Sequence, residues 1–247
     1  MDLETVKLAS LMAVALVAGG VAERTPSINY IQSPSGNFFR APGKTIPPEN
    51  VIQTLPASNA CTCKNFCFVS LACLAWSLVN FADGTSECRI TDAGPLSYEV
   101  ENNTQATYFF KEAAVDGTYH IDVDRLLYLK PSIGANFLTA KQHCEKIPGH
   151  RLGIYKTMQQ YNMLGAYTTT TVTIESLYMD LVKVGMDLYW GDGTLYNDTE
   201  IGRNVDVRDF IKPERYIMMF WDSFVSDGRP SDIRQFMCQA NPLGIEW

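Results

Sequence analysis

Phe137-Leu138-Thr139-Ala140-Lys141-Gln142-His143-Cys144 opens the stretch that decides the fold, Leu188-Tyr189-Trp190-Gly191-Asp192-Gly193-Thr194 stands near its middle, and Gln235-Phe236-Met237-Cys238-Gln239 closes it. The first piece sets Phe137, Ala140, Lys141 and Cys144 along one helical face. The middle piece is an aromatic strand running into an Asp-Gly turn, which predicts a hairpin. The last piece alternates Ile233, Gln235 and Met237 with Arg234, Phe236 and Cys238, as a half-buried strand does. One cysteine on an early helix and another on the final strand predict a bridge that closes a long loop.

In this order the pieces resemble the C-type lectin-like domain. That family carries its first cysteine on a helix, a W-x-D-G-T signature in the core, and a last strand ending F-I-C. Trp190-Gly191-Asp192-Gly193-Thr194 matches the signature in full, and Leu177-Tyr178-Met179-Asp180-Leu181 stands where the family writes W-I-G-L. Arg151-Leu152-Gly153-Ile154 stands at its G-x-L-A. The resemblance covers residues 118–242. It implies an α+β fold with two helices, antiparallel sheets, a long loop and a Cys144–Cys238 bridge.

The whole chain has 247 residues, 46% of them hydrophobic, enough for two modest domains. Residues 1–22, with an apolar run from Leu8 to Val21, read as a secretory signal peptide, and no later run is long and apolar enough to span a bilayer. Export to an oxidising compartment turns the seven cysteines into expected disulfides before metal ligands or nucleophiles. Asn102-Asn103-Thr104 and Asn197-Asp198-Thr199 are acceptor sequons, so Asn102 and Asn197 are expected glycosylation sites. The formal charge is −7, and −6 once Asp2, Glu4 and Lys7 leave with the signal. With no Lys/Arg block, nucleic acid and anionic membrane are poor partners.

Before the lectin-like stretch, residues 23–58 hold turns at Ser35-Gly36-Asn37 and Pro42-Gly43-Lys44, with short strands expected at Asn29-Tyr30-Ile31 and from Asn50 to Leu55. Cys63, Phe66, Cys67 and Leu71 have helical spacing, and Trp76–Val79 and Glu87–Ile90 read as strands around Asp83-Gly84. This pattern resembles the PAN/apple domain over residues 27–113, with Thr107–Phe110 as its closing strand. The resemblance implies that Cys63 pairs with Cys88 and Cys67 with Cys73. Cys61 is left over, to compete with Cys63, stay free or bridge to another chain. Residues 114–117 read as a linker.

The sugar-binding members of the lectin-like family hold calcium through an E-P-N or Q-P-D tripeptide and a W-N-D tripeptide. Counted back from Cys238, the second slot is Val225-Ser226-Asp227, which keeps only the aspartate. The first falls on Asp206-Val207-Arg208 or, with a shorter loop, on Lys212-Pro213-Glu214. Either way a cation, Arg208 or Lys212, occupies a place where calcium needs oxygen. Asp227 is thus the one metal-ligand candidate, and no cofactor is expected. Tyr216 and Pro230 stand where the family has its second bridge. Ligand contacts are expected from Asp206, Arg208, Lys212, Glu214, Asp222, Ser226 and Asp227. Asp192 is expected to serve its turn, and Asp122 and Asp124 to be solvated surface.

The three histidines, His120, His143 and His150, sit in no nucleophile or zincin motif. The sequence therefore reads as a secreted, extracellular recognition protein that binds a glycan or an extracellular protein and is not an enzyme. An adhesive or matrix component, disulfide-linked through Cys61, is the alternative, and a hydrolase ranks third.

Overall fold

A computed structural model describes residues 27–168, 176–208, 217–221 and 224–245. The signal segment, most of the threonine run after Tyr167, and Lys212, Glu214, Tyr216 and Asp222 lie outside the described residues.

The first half contains β1 (Asn29–Ile31), β2 (Phe38–Thr45), β3 (Gln53–Pro56), α1 (Ala60–Val69), β4 (Ala75–Asn80), β5 (Ser86–Thr91) and β6 (Glu101–Lys111). Its strands form one antiparallel sheet in the order β1-β2-β6-β4-β5-β3. The strand expected from Asn50 starts later, because Pro48–Asn50 make a 3₁₀ turn. The Asn59 side chain caps α1 by accepting from the amides of Cys61 and Thr62. Cys63 and Cys67, one turn apart, face inward and are bonded to Cys88 and Cys73 respectively. The bridges pack with Trp76, whose ring stacks on Phe109 at 5.1 Å.

The second half continues with β7 (Thr118–Ile121), β8 (Leu127–Lys130), α2 (Phe137–Lys146), β9 (His150–Leu152), α3 (Met158–Thr168), β10 (Leu177–Val184) and β11 (Asp187–Trp190). Then come α4 (Glu200–Asn204), β12 (Val207–Arg208), β13 (Ile217–Trp221), β14 (Phe224–Gly228), β15 (Gln235–Phe236) and β16 (Cys238–Ala240). They build two sheets, β7-β8-β16-β9 and β11-β10-β13-β14-β12, with β15 beside β10. Asn136 caps α2 by accepting from the Thr139 amide. From the buried face of α2, Cys144 reaches Cys238 on β16. The described chain is thus an α+β protein.

Two local expectations are corrected. The closing segment is not a half-buried strand: every residue from Phe236 to Asn241 is buried. The chain leaves one sheet after β15 and joins the other at β16, which lies between β8 and β9 with both edges paired and side chains buried on both faces. Nor does the Trp190-Gly191-Asp192-Gly193 turn lead into a full hairpin. β11 pairs back with β10 across Gly185 (φ 64°), and beyond the turn only Leu195 bridges to Tyr189.

The halves are not separated by an exposed tether. Val115, within the segment expected as a linker, is buried in a hydrophobic cluster shared by Ile28, Phe39 and Phe110 of the first half and Leu129, Ala140 and Cys144 of the second. At this seam Gly149 has φ 73°, and a Cβ there would sit 2.7 Å from Ile28. Both the left-handed backbone and the close approach need glycine. Gly149→Ala is expected to cost about 2 kcal/mol of unfolding free energy, measured by urea denaturation. A change within error would mean that Ile28 yields freely.

Candidate functional site

The face expected to bind ligand is built on the β13-β14-β12 edge. β14 pairs antiparallel with β13 and parallel with β12, in a register that sets Arg208 beside Ser226 and Val207 beside Val225. Ser226 and Asp227 are buried in the strand, whereas Asp206 and Arg208 are exposed at its edge. The Arg208 guanidinium lies 4.1 Å from the centre of the Phe224 ring, a cation–π contact. Asp206, Arg208, Ser226 and Asp227 thus gather on one edge. Among the described residues, no group of three or more His, Cys, Asp or Glu side chains could hold a metal ion.

Beside this edge, the turn after Pro230 is tied inward, because the Tyr178 hydroxyl reaches the carbonyls of Asp232 (2.7 Å) and Arg229 (3.0 Å). The Arg234 guanidinium pairs with Asp232 at 2.8 Å.

The signature turn lies over a charged network. The Asp192 carboxylate accepts from the Thr194 amide at 3.1 Å and pairs with Lys156 at 2.5 Å, so it serves both its turn and an ion pair. Partial burial pushes its carboxyl up, but the bonds from Lys156 and Thr194 outweigh this and hold it below the usual carboxylate range. Both carboxylate oxygens of Asp180, which is 4% exposed, accept from the Lys141 ammonium at 3.0 Å. Gly191 is pressed against that carboxylate: a Cβ there would lie 1.9 Å from its oxygen. Sequence reading missed this pair, although an acid inside the apolar run Leu177–Leu181 is itself a sign of a buried, partnered charge.

A third polar group corrects the reading of Asp124 as solvated surface. Its carboxylate accepts from the Tyr128 hydroxyl (2.6 Å), the Gln160 amide (3.0 Å) and the Leu126 backbone (3.0 Å). Gln239, fully buried, accepts from the Arg151 Nε and donates to the Ile154 carbonyl and Tyr128 hydroxyl. Burial first, then Asp124, pushes the Tyr128 phenol well above its ordinary value. Asp124, Arg151, Gln160 and Gln239 line a cleft of about 380 Å³. Since Gln160 also caps the start of α3 through the Lys156 and Thr157 amides, the network holds α3 to the sheet.

The histidines lie apart from one another. His120 packs on Tyr167, His143 on Phe236, and His150 on Phe39 and Tyr119. Cys61 is exposed and unbonded at the start of α1. Both sequon asparagines, Asn102 and Asn197, are exposed, while the Thr199 hydroxyl is buried as the cap of α4. No helix among the described residues is long and apolar enough to cross a membrane.

No family model matches the chain, and no curated protein matches it. Solved structures do. The mouse scavenger receptor C-type lectin carbohydrate-recognition domain is 17% identical, covers 50% of this chain and 95% of its own, and has a TM-score of 0.40. The C-type lectin domain of murine dendritic cell inhibitory receptor 2, in complex with N-glycan, is 13% identical over 50% of this chain and 95% of its own, with a TM-score of 0.42. The C-type lectin CEL-I from Cucumaria echinata is 13% identical over 50% and 94%, with a TM-score of 0.41. Each is a C-type lectin domain, matched to half of this chain.

Proposed function

We propose that this chain is a secreted recognition protein that holds a glycan or an extracellular protein on the β12–β14 edge without calcium. The observation that carries this reading is the register placing Arg208 beside Ser226. Calcium takes six to eight oxygen ligands at short range. The described residues of this edge offer the Asp227 carboxylate and the Ser226 hydroxyl, both buried in a strand, and the exposed Asp206 carboxylate, with a guanidinium alongside, which is fewer oxygens than the ion needs. That donor set does not fit the ion. It fits direct recognition, in which an exposed arginine held over the Phe224 ring presents N–H donors to hydroxyl, carboxylate or carbonyl groups of a ligand. Lys212, Glu214 and Asp222 are proposed to complete the contacts, and the PAN/apple-like first half to add a second surface. The chain is proposed to carry glycans at Asn102 and Asn197 and to perform no catalysis.

A glycan array and an extracellular-protein array, each probed with calcium and with chelator, test the reading. Binding is expected to be the same in both conditions. Arg208→Ala is expected to weaken it about tenfold, the loss of one charge-assisted contact. Binding lost to chelator, or untouched by the substitution, contradicts the proposal.

A second reading is favoured by one observation. Cys61 is exposed and unbonded on the helix whose end exposes Val69 and Leu71. An adhesive component linked through Cys61 would run as a dimer on non-reducing electrophoresis, and Cys61→Ser would return it to monomer.

A further inference from the structure

His150 sits in the seam between the halves, 7% exposed, with both ring nitrogens engaged. Nδ1 lies 3.0 Å from the Pro148 carbonyl oxygen, and Nε2 lies 3.2 Å from the Tyr119 hydroxyl. A carbonyl only accepts, so Nδ1 carries the proton. Nε2 is then the acceptor for the Tyr119 O–H. This assignment follows from the partners and fixes the neutral imidazole as the form the seam is built around.

The rings continue the seam into the first half. Phe39, on β2, lies 5.7 Å from the His150 ring and 4.9 Å from the Tyr119 ring. Tyr119 also stacks near Tyr30 of β1 at 6.5 Å. The Tyr30 hydroxyl donates to Glu112 at 2.9 Å, and the Asn37 amide donates to the same oxygen at 2.8 Å. One residue before His150, Gly149 is pressed against Ile28 and Ser27. The joint thus depends on a short polar chain, Pro148–His150–Tyr119, set inside apolar packing from both halves.

We propose that His150 makes this seam an acid-sensitive joint, closed while the imidazole is neutral and loosened when it gains a proton. A proton on Nε2 turns that atom into a donor, so the Tyr119 hydroxyl must rotate its hydrogen away and accept instead. A charge is then left among the Phe39 and Tyr119 rings and the backbone, with no carboxylate on the imidazole. The ionisable groups around the ring do not compensate. Tyr119 (β7) and Tyr30 (β1) are held neutral by burial, reinforced by Glu112. Glu112 itself is spent on Tyr30 and Asn37. Arg40 on β2 is exposed and turned to Asn29, and β16 sets the uncharged Ala240 opposite His150. Arg151, next on β9, is bonded to Gln239, while Glu145 and Lys146 at the end of α2 line an open cleft with Pro148 and Gly149.

Burial pushes the imidazole down from 6.5 to about 4, only partly offset by the Pro148 carbonyl. The folded value lies below the unfolded one, so the joint is fully stable above pH 6.5 and weakens as pH falls toward 4. The opening equilibrium is expected to rise roughly 80-fold by pH 4.5, toward a limit of roughly 300-fold below pH 4.

The test is hydrogen exchange of the full chain between pH 7.4 and 4.5, corrected for intrinsic rates, beside NMR titration of the His150 ring. Acid is expected to deprotect β2, β7 and β9 selectively, with the β10–β11 amides unaffected. His150→Gln, neutral at every pH and able to donate and accept, is expected to abolish that selective loss. Equal acid loss in the variant overturns the proposal. Should the variant not fold, the wild-type titration decides alone: a His150 pKa near 6.5 with the seam amides still protected overturns it, and a depressed pKa tracking deprotection supports it.

Discussion

Replacing Cys144 and Cys238 together by alanine is expected to lower the unfolding free energy by about 4–5 kcal/mol. The bridge closes a separation of 94 residues, the longest loop of the three disulfides. Most of that effect lies in the unfolded chain, which gains freedom when so long a loop opens. The rest lies in the core, where both cysteines are fully buried between α2 and β16 and leave small voids. The other two bridges close 25 and 6 residues and tie α1 to its own sheet, so their loss should cost less. Urea unfolding of the double variant against wild type checks this. A loss below about 1 kcal/mol would mean that the α2–β16 tie does not organise the second half.

Lys141→Ala is expected to cost about 3 kcal/mol. It strands the Asp180 carboxylate, 4% exposed, beneath the signature turn with its cation gone. Arg151 lies close enough to feel Asp180, which keeps the loss at the lower end of the range for broken buried pairs. Lys141 is itself partly exposed, so removing its methylene stem contributes little. Adding Asp180→Asn to Lys141→Ala should recover much of the loss, since the buried charge then disappears with its partner. Equal stability of the lysine variant and wild type would show that solvent reaches the carboxylate.

Much of this architecture could be read from local chemistry. The spacing of Cys63 and Cys67 sets both on one helical face, and the structure bonds them across the helix to β5 and to the loop before β4. Phe137, Ala140 and Cys144 share the buried face of α2, as their periodicity requires. What escaped was non-local. The Phe236–Asn241 run is buried on both faces because the chain changes sheets at Met237, and a switch between partners leaves no periodic mark. Asp124 looked like surface because its partners, Tyr128 and Gln160, lie 4 and 36 residues away, the second invisible to any local pattern. The seam was hidden for the same reason: Phe39, Tyr119 and His150 meet only in three dimensions.

The candidate site was legible by counting from Cys238, which placed Ser226, Asp227 and Arg208. Their register could not be counted, because β12 pairs with β14 in parallel, a geometry no turn length dictates. That register sets Arg208 beside Ser226 and so brings a cation to the edge.

Calorimetric titration of calcium into the full chain tests the central claim most directly. A ligand edge that offers Asp227 and Ser226 from inside a strand and Asp206 at its rim, with Arg208 alongside, should show no saturable calcium binding at millimolar concentration. A one-to-one isotherm that disappears in Asp227→Asn would contradict the account.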